Sequence, residues 1–342
     1  MSEERSKRFG ILRRGEGDAL LLAVPPLMVA VVSQGLFQFT GYDIVELGRD
    51  VAETLRGVSM PNLEARLSEH ETRILWTLAV FLNLVAAVAL TTIAILILHR
   101  SVSLRGLRLF VPTGLVLVLG GLGSLMVHAY TDTPISGLYS FTYNSLEASG
   151  IFGGEFLVTV RFLVILLNVL TIVAPMTALM AACSTLAPPR DGGPGDVAFL
   201  GGQVRFLKAL AVLGSVYMVA GVLHLGVWMS WPAILVSGEG MAVQVQSFAK
   251  SMSIYWGGSF TVLIASFYVP ALIVLRRRAE AALARSPDLK GEMTPERFLE
   301  AHGLSLTLSK QLPQIAAVLA PLLAGPIGSA IAELSGAVTL PG

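Results

Sequence analysis

Residues Ile74–Leu98 read ILWTLAVFLNLVAAVALTTIAILIL, 25 residues without one charged side chain. At 1.5 Å per residue such a helix is about 37 Å long, more than the roughly 30 Å hydrocarbon core of a bilayer. A soluble helix of this length would show one polar face, and this run is apolar all round. Working outward from it, five more runs meet the same test: 19–40, 109–130, 156–184, 207–235 and 252–275. The expected fold is therefore all-α, a polytopic transmembrane bundle of six spans.

Composition agrees. Of the 342 residues 54% are hydrophobic and 14% charged, with a mean hydropathy of +0.71; soluble domains carry about a quarter charged residues. The length suits a six- or seven-helix bundle with a small appendage. It leaves no room for a large soluble domain. A net charge of +1, with the basic residues spread along membrane flanks, argues against a nucleic-acid partner. The single cysteine, Cys183, excludes an intrachain disulfide and any Cys-based metal or iron–sulfur site built from one chain. Basic residues precede the first apolar run as in a signal peptide, but the run is long and no A-x-A site follows, so an uncleaved first span is expected.

Orientation comes from the short connections. Fifteen Lys and Arg residues lie before span one, between spans two and three, between four and five, and after six; five, Arg49, Arg56, Arg66, Arg73 and Lys250, lie in the alternate connections. The positive-inside rule then places the N-terminus and the end of span six in the cytoplasm, in a bacterial inner membrane. Trp76, Trp228, Trp231 and Trp256 all fall at the outer ends of their spans, where an interfacial aromatic belt is expected. The domains follow: a basic cytoplasmic segment at 1–18, the six-helix domain at 19–275, and a cytoplasmic helical tail at 276–342. Residues 41–72 form an outer helical hairpin, with Ile44, Leu47, Val51 and Leu55 at helical spacing, a break at Met60-Pro61, and a second arm running into span two. Gly193-Pro194-Gly195 reads as linker rather than a phosphate loop, because it follows a membrane helix and lacks a third glycine.

Polar groups at membrane depth are costly and mark function more often than any others. Arg161, one and a half turns inside the outer end of span four, and Glu155 near the start of that helix are candidates for attracting or gating charge, against a bland reading in which Arg161 snorkels to the headgroups. Asn83 and Asn168 lie near mid-membrane, where an amide either bridges helices or lines a path. His128 and His224 stand at similar depth, with His70 on the hairpin above. Two histidines on facing helices could ligate a b-type haem, and three a divalent metal. Their commoner role is structural. Gly120–Ser124 (GGLGS) and Trp256–Ser259 (WGGS) offer small residues for close helix packing. There is no HExxH, G-x-S-x-G or Walker lysine loop, which leans against an enzyme and leaves the question open.

The tail contains a short helix opening at Thr294-Pro295-Glu296 and stopping at Gly303. After it, residues 312–334 form an apolar stretch with Pro313, Pro321 and Pro326. Each proline leaves a helix carbonyl without its N–H partner in a medium that offers no water. The expectation is a hairpin broken at Gly325-Pro326, cytoplasmic or re-entrant, with Gly342 cytoplasmic and Leu322, Leu323 and Ile327 making assembly contacts. The functional expectation is a channel or transport-type protein without a cofactor, partnered by the bilayer and by copies of itself, with the tail gating or assembling it. Two alternatives stand beside it: a haem- or metal-binding redox subunit using His128 and His224, and an accessory subunit of a larger membrane complex.

Overall fold

The computed structural model describes residues 16–41, 43–57, 63–188, 197–236, 239–285, 293–301, 303–304 and 308–337; for 16, 239, 308–310 and 326–337 it describes the backbone alone. The basic N-terminal segment as far as residue 15, the Met60-Pro61 break, the 193–195 glycine loop and the Ile327 side chain lie outside the described parts. The helices are α1 (Val24–Thr40, led in by the turns Glu16–Ala19 and Leu20–Ala23), α2 (Ile44–Thr54), α3 (Leu63–Ser101), α4 (Leu104–Ala129), α5 (Pro134–Ser149), α6 (Gly154–Ser184), α7 (Val197–Leu235), α8 (Glu239–Arg285), α9 (Pro295–Ala301) and α10 (Leu308–Ala337). No strand occurs among the described residues. Six helices are long and apolar enough to cross a membrane: Gly17–Thr40, Leu63–Ser101, Leu104–Ala129, Gly154–Ser184, Val197–Leu235 and Gly240–Arg285. The chain is an all-helical integral membrane protein.

At 39 residues each, α3 and α7 are about 58 Å long, and both outreach the hydrocarbon core. They pack along each other at the centre. Helix α8 lines the other side of α7 and carries α1 on its outer flank, while α6 lies on α3 and α4 lies on α6. Two buried clusters result. One, toward the ends that carry Arg100 and Arg278, is aliphatic, with Ala87, Leu90, Ala94, Ala181, Ala182, Leu207 and Ala271. The other, toward the opposite end, is aromatic, with Trp76, Phe141, Phe152, Trp228 and Trp231. These are called the basic end and the aromatic end below.

Three expectations are corrected here. The tryptophans are not a lipid-facing belt: Trp76, Trp228 and Trp231 are at most 2% exposed. Their rings fill the space between helices, where they gain packing on every side. The outer hairpin also differs in detail. Its second arm does run unbroken into span two as α3, but its first arm, α2, packs on α5. Two close approaches fix that crossing: a Cβ at Gly48 would stand 3.1 Å from the Phe141 backbone, and one at Gly137 would stand 2.8 Å from Ile44.

The third correction concerns the tail. Gly325-Pro326 makes no turn, and α10 is one helix through it. It lies in the groove between α7 and α8, antiparallel to α8. Gln311 accepts from the Tyr268 hydroxyl at 3.1 Å, the Leu322 N–H donates to Thr261 at 3.2 Å, and Gly325 faces the Ser253 backbone. Over those 15 residues α10 climbs about 21 Å alongside a membrane span, heading for the aromatic end and away from the side expected for Gly342, which itself lies outside the described residues. The missing partner of the Pro321 argument is supplied in the structure. Pro321 frees the Ala317 carbonyl, and the Ser215 hydroxyl of α7 donates to it. Small residues make the approach close: Ser253 and Gly257 on α8 face Gly325 and Pro321 on α10, and a Cβ at Gly257 would collide with the Pro321 carbonyl. From the same WGGS stretch Ser259 bonds Ser33 of α1 at 2.7 Å. In the other small-residue stretch Gly121 packs on Ile172 of α6, whereas Gly120 and Gly123 meet nothing.

The small helix of the tail matches its reading. Thr294 accepts the Arg297 N–H, and Gly303 ends the helix at φ +74°, with Gly303 and Leu304 N–H groups donating to the carbonyls of Glu300 and Leu299. That pair of bonds with a left-handed glycine is the Schellman stop.

Candidate functional site

Helix α3 begins at Leu63, ahead of the uncharged run at Ile74–Leu98, and its first turns carry Arg66, Glu69, His70 and Arg73 on one side. With Ile151 these four line a cavity of about 290 Å³ at the aromatic end. Glu69 anchors it. Its carboxylate, 3% exposed, accepts from Arg73 Nε at 3.1 Å and Nη2 at 2.7 Å, and lies 3.1 Å from His70 Nδ1. The sequence provides this locally, since Glu four residues before Arg is the favourable helical order. The Arg73 guanidinium lies 4.7 Å from the Phe156 ring centre and 5.5 Å from that of Phe152. Stacking of this kind suits a planar, weakly hydrated cation.

Below the cavity the same face of α3 continues at helical spacing through Trp76, Val80 and Asn83. Opposite it α7 presents Trp231, Trp228, His224 and Gly221. The Trp76 ring lies 5.6 Å from Trp231, 5.9 Å from Trp228 and 6.2 Å from His224, centre to centre. Asn83 is buried beside Gly221, where a Cβ would stand 3.6 Å from its Nδ2, an ordinary contact. Helix α5 closes the cluster from above. Trp228 Nε1 donates to the Leu138 carbonyl at 3.1 Å, Thr142 donates to the Trp228 carbonyl at 2.8 Å, and Tyr139 stacks on Trp228. Burial first, then the neighbouring Tyr143, pushes the Tyr139 hydroxyl up to about 12, with the Arg161 charge opposing. Tyr139 is therefore a neutral hydroxyl at physiological pH.

The polar atoms of this region are conspicuous for what they lack. Trp76 Nε1, Trp231 Nε1, His224 Nε2, Asn83 Oδ1 and the Tyr139 hydroxyl are buried and have no hydrogen-bond partner among the described residues; one turn below Gly221, the Tyr217 hydroxyl is the same. Each such group costs about 1–3 kcal/mol. Those of Trp76, Trp231, His224, Asn83 and Tyr217 make a file of donors and acceptors along the α3–α7 seam, from below the cavity to the middle of the bundle, with Tyr139 of α5 beside it. Past Tyr217 the seam is closed by Leu207, Leu210, Ala211 and Leu90 of the aliphatic cluster.

The residues expected from sequence distribute unevenly over this site. Asn83 and His224 are in the file, and His70 lines the cavity above it. Arg161 and Glu155 are exposed on α6, and Arg161 reaches the site only through its charge on Tyr139. Asn168 is half-buried on α6, its carbonyl accepting the Thr171 hydroxyl. His128 does not face His224: its helix α4 lies on α6, whereas α7 lies among α3, α8 and α10, and His128 Nδ1 is 3.1 Å from the Thr133 hydroxyl. No group of three or more His, Cys, Asp or Glu residues fit to hold a metal ion occurs among the described residues. Leu323 points outward from α10 with Leu312, Ile315 and Leu319, whereas Leu322 is partly exposed and also meets α8 at Gly258. Sequence reasoning missed Glu69, Arg73 and Trp76. Their spacing with Asn83, residues 69, 73, 76 and 83, marks one helical face, but in the sequence Arg73 reads only as a topological charge.

Comparison of the chain with protein-family models, curated proteins and solved structures finds no match.

Proposed function

We propose that this is a transport-type membrane protein whose path enters at the Arg66–Arg73 cavity and follows the α3–α7 seam. One observation carries the reading: of the eight buried side-chain polar atoms without partners among the described residues, five lie on that seam between two central helices of 39 residues, and they lead down from an open cavity. A bundle selected for stability alone would replace such groups with apolar ones of similar shape, at little cost or some gain. Groups retained against that gradient mark a path for something polar. The aliphatic closure at the basic end makes the described arrangement one that is open to a single side, as alternating access or a shut channel requires. The fifteen-to-five excess of basic residues supports a cytoplasmic membrane with the cavity outside.

The test is permeability of reconstituted vesicles to a panel of protons, potassium, chloride and small neutral and anionic solutes. Protein-dependent flux of at least one member is expected, abolished by Asn83→Leu and by His224→Leu in variants that keep the wild-type melting temperature. If no member crosses faster than in protein-free vesicles, the reading fails. A second reading, a subunit of a larger assembly, is favoured by α4, which packs among the spans on α6 and presents Val111, Leu115, Val116, Leu119 and Met126 outward. The redox alternative loses its geometric basis, because His70, His128 and His224 occupy three separate settings.

A further inference from the structure

We infer that the cavity lined by Arg66, Glu69, His70, Arg73 and Ile151 binds a small oxyanion, a carboxylate or phosphate, carried on a short apolar body. This deepens the transport reading by naming its solute class, and it rests on that reading only for the claim that the ligand moves onward.

The charge balance of the lining decides the sign. Among the described residues of the lining Glu69 is the one carboxylate, and it is already engaged by two N–H groups of Arg73 and faced by His70 Nδ1. It offers little to an incoming cation, and it neutralises Arg73. Arg66 is exposed and makes no ion pair among the described residues. Its charge is the uncompensated one, so the cavity is positive. Arg73 still has donor capacity, because a guanidinium carries five N–H bonds and Glu69 takes two of them. Its orientation is fixed by Glu69 on one edge and by Phe156 on its face. A prefixed fork beside a second, free guanidinium is the arrangement that recognises carboxylate or phosphate oxygens in pairs.

Size and wall chemistry narrow the class. About 290 Å³ is at the small end of ligand cavities, and Ile151, the apolar member of the lining, gives a short chain something to pack on. The cavity stands three residues above Trp76 on α3, at the level of the membrane surface, so the oxyanion could arrive on a free solute or on a lipid headgroup. Both present the same chemistry to Arg66 and Arg73.

The experiment uses the full-length protein in phosphatidylcholine nanodiscs and reads tryptophan emission, since Trp76 lies under the cavity. Butyrate, inorganic phosphate and tetrabutylammonium are titrated separately, and butyrate is titrated again in nanodiscs containing phosphatidylglycerol. A saturable change with butyrate, weaker with phosphate and absent with tetrabutylammonium, is expected. Arg66→Gln should weaken it about tenfold, as loss of a charge-assisted contact does, while Arg66→Lys recovers part of the loss. Arg66 is exposed, so neither variant should alter the melting temperature. If phosphatidylglycerol alone shifts the emission and blocks butyrate, the oxyanion belongs to a lipid and the site stands. The inference is refuted if no anion gives a saturable signal, if tetrabutylammonium matches butyrate, or if Arg66→Gln binds as wild type. Binding without vesicle flux would remove the transport reading and leave the site, whereas flux without binding would do the reverse.

Discussion

Between Trp76 and Ala94, α3 passes from a core of rings to a core of methyl groups. Along that length it faces the same partner, α7, which changes in step from Trp231 and Trp228 to Leu210 and Ala211. The buried polar groups change too. At the basic end most are paired: Ser101 donates to Gln203 at 3.2 Å, Tyr268 to Gln311 at 3.1 Å, and Arg278 to the Leu186 carbonyl at 2.6 Å, while the Tyr217 hydroxyl of the aliphatic cluster and Gln314 Oε1 on α10 have no partner among the described residues. At the aromatic end Trp76, Trp231, His224, Asn83 and Tyr139 each keep an unpaired atom. Paired polar groups in a low dielectric tie helices together, and unpaired ones cost stability until something polar meets them. One half of the bundle is thus built to hold, and the other is built to receive.

The strongest way to break this contrast concerns α10, which runs from the paired half toward the unpaired one. A reporter joined to the end of α10 should be active only on the side of the cavity, an all-or-none outcome that phosphatase and fluorescent-protein fusions read directly. Activity on the basic side would mean that α10 turns back. Next in size, Glu69→Ala leaves Arg73 half-buried beside two phenyl rings and should cost on the order of 3 kcal/mol. Thermal melting followed by near-ultraviolet circular dichroism should then show an early loss of the tryptophan signal with helicity retained. A wild-type melt would show that the ion pair does not hold the aromatic end.

Two smaller effects test the basic half. Ala94 is fully buried, and Ala94→Leu should destabilise by about 1–3 kcal/mol through overpacking, lowering the helical melting temperature as a whole. Ser215→Ala orphans the Ala317 carbonyl and should cost about 1–3 kcal/mol. Its expected mark is faster proteolysis of α10 alone, with no change at the cavity. The smallest stability effect is expected in the receiving half: Asn83→Leu should change the melting temperature little, in either direction, because it removes an unpaired atom. A large loss of stability would show that Asn83 holds helices together and does not line a path.

Much of the fold was legible residue by residue. The run at Ile74–Leu98 sufficed for a membrane helix because no other medium accepts 25 uncharged residues apolar on every side. Thr294 and Gly303 marked the ends of α9 because caps act within four residues. The candidate site was half legible. Asn83 and His224 stood out as polar groups among apolar neighbours. Glu69 and Arg73 did not, since a charged pair at the mouth of a span reads like any other surface pair until Phe156 of α6 and Phe152, just before that helix, cover Arg73.

The sequence by itself determined that this chain is helical, that it enters a membrane, and that six of its segments are long and apolar enough to cross one, because those properties follow from local hydropathy and hydrogen bonding within one segment. Tertiary structure alone decided three things: that three of the tryptophans face inward, that the histidines stand apart, and that a proline-rich tail forms a single helix in the groove between α7 and α8. The last has the plainest reason. A proline deprives a carbonyl of its partner within the helix, and whether that loss is tolerated depends on a donor 102 residues away, the Ser215 hydroxyl, which only the packed bundle brings to Ala317.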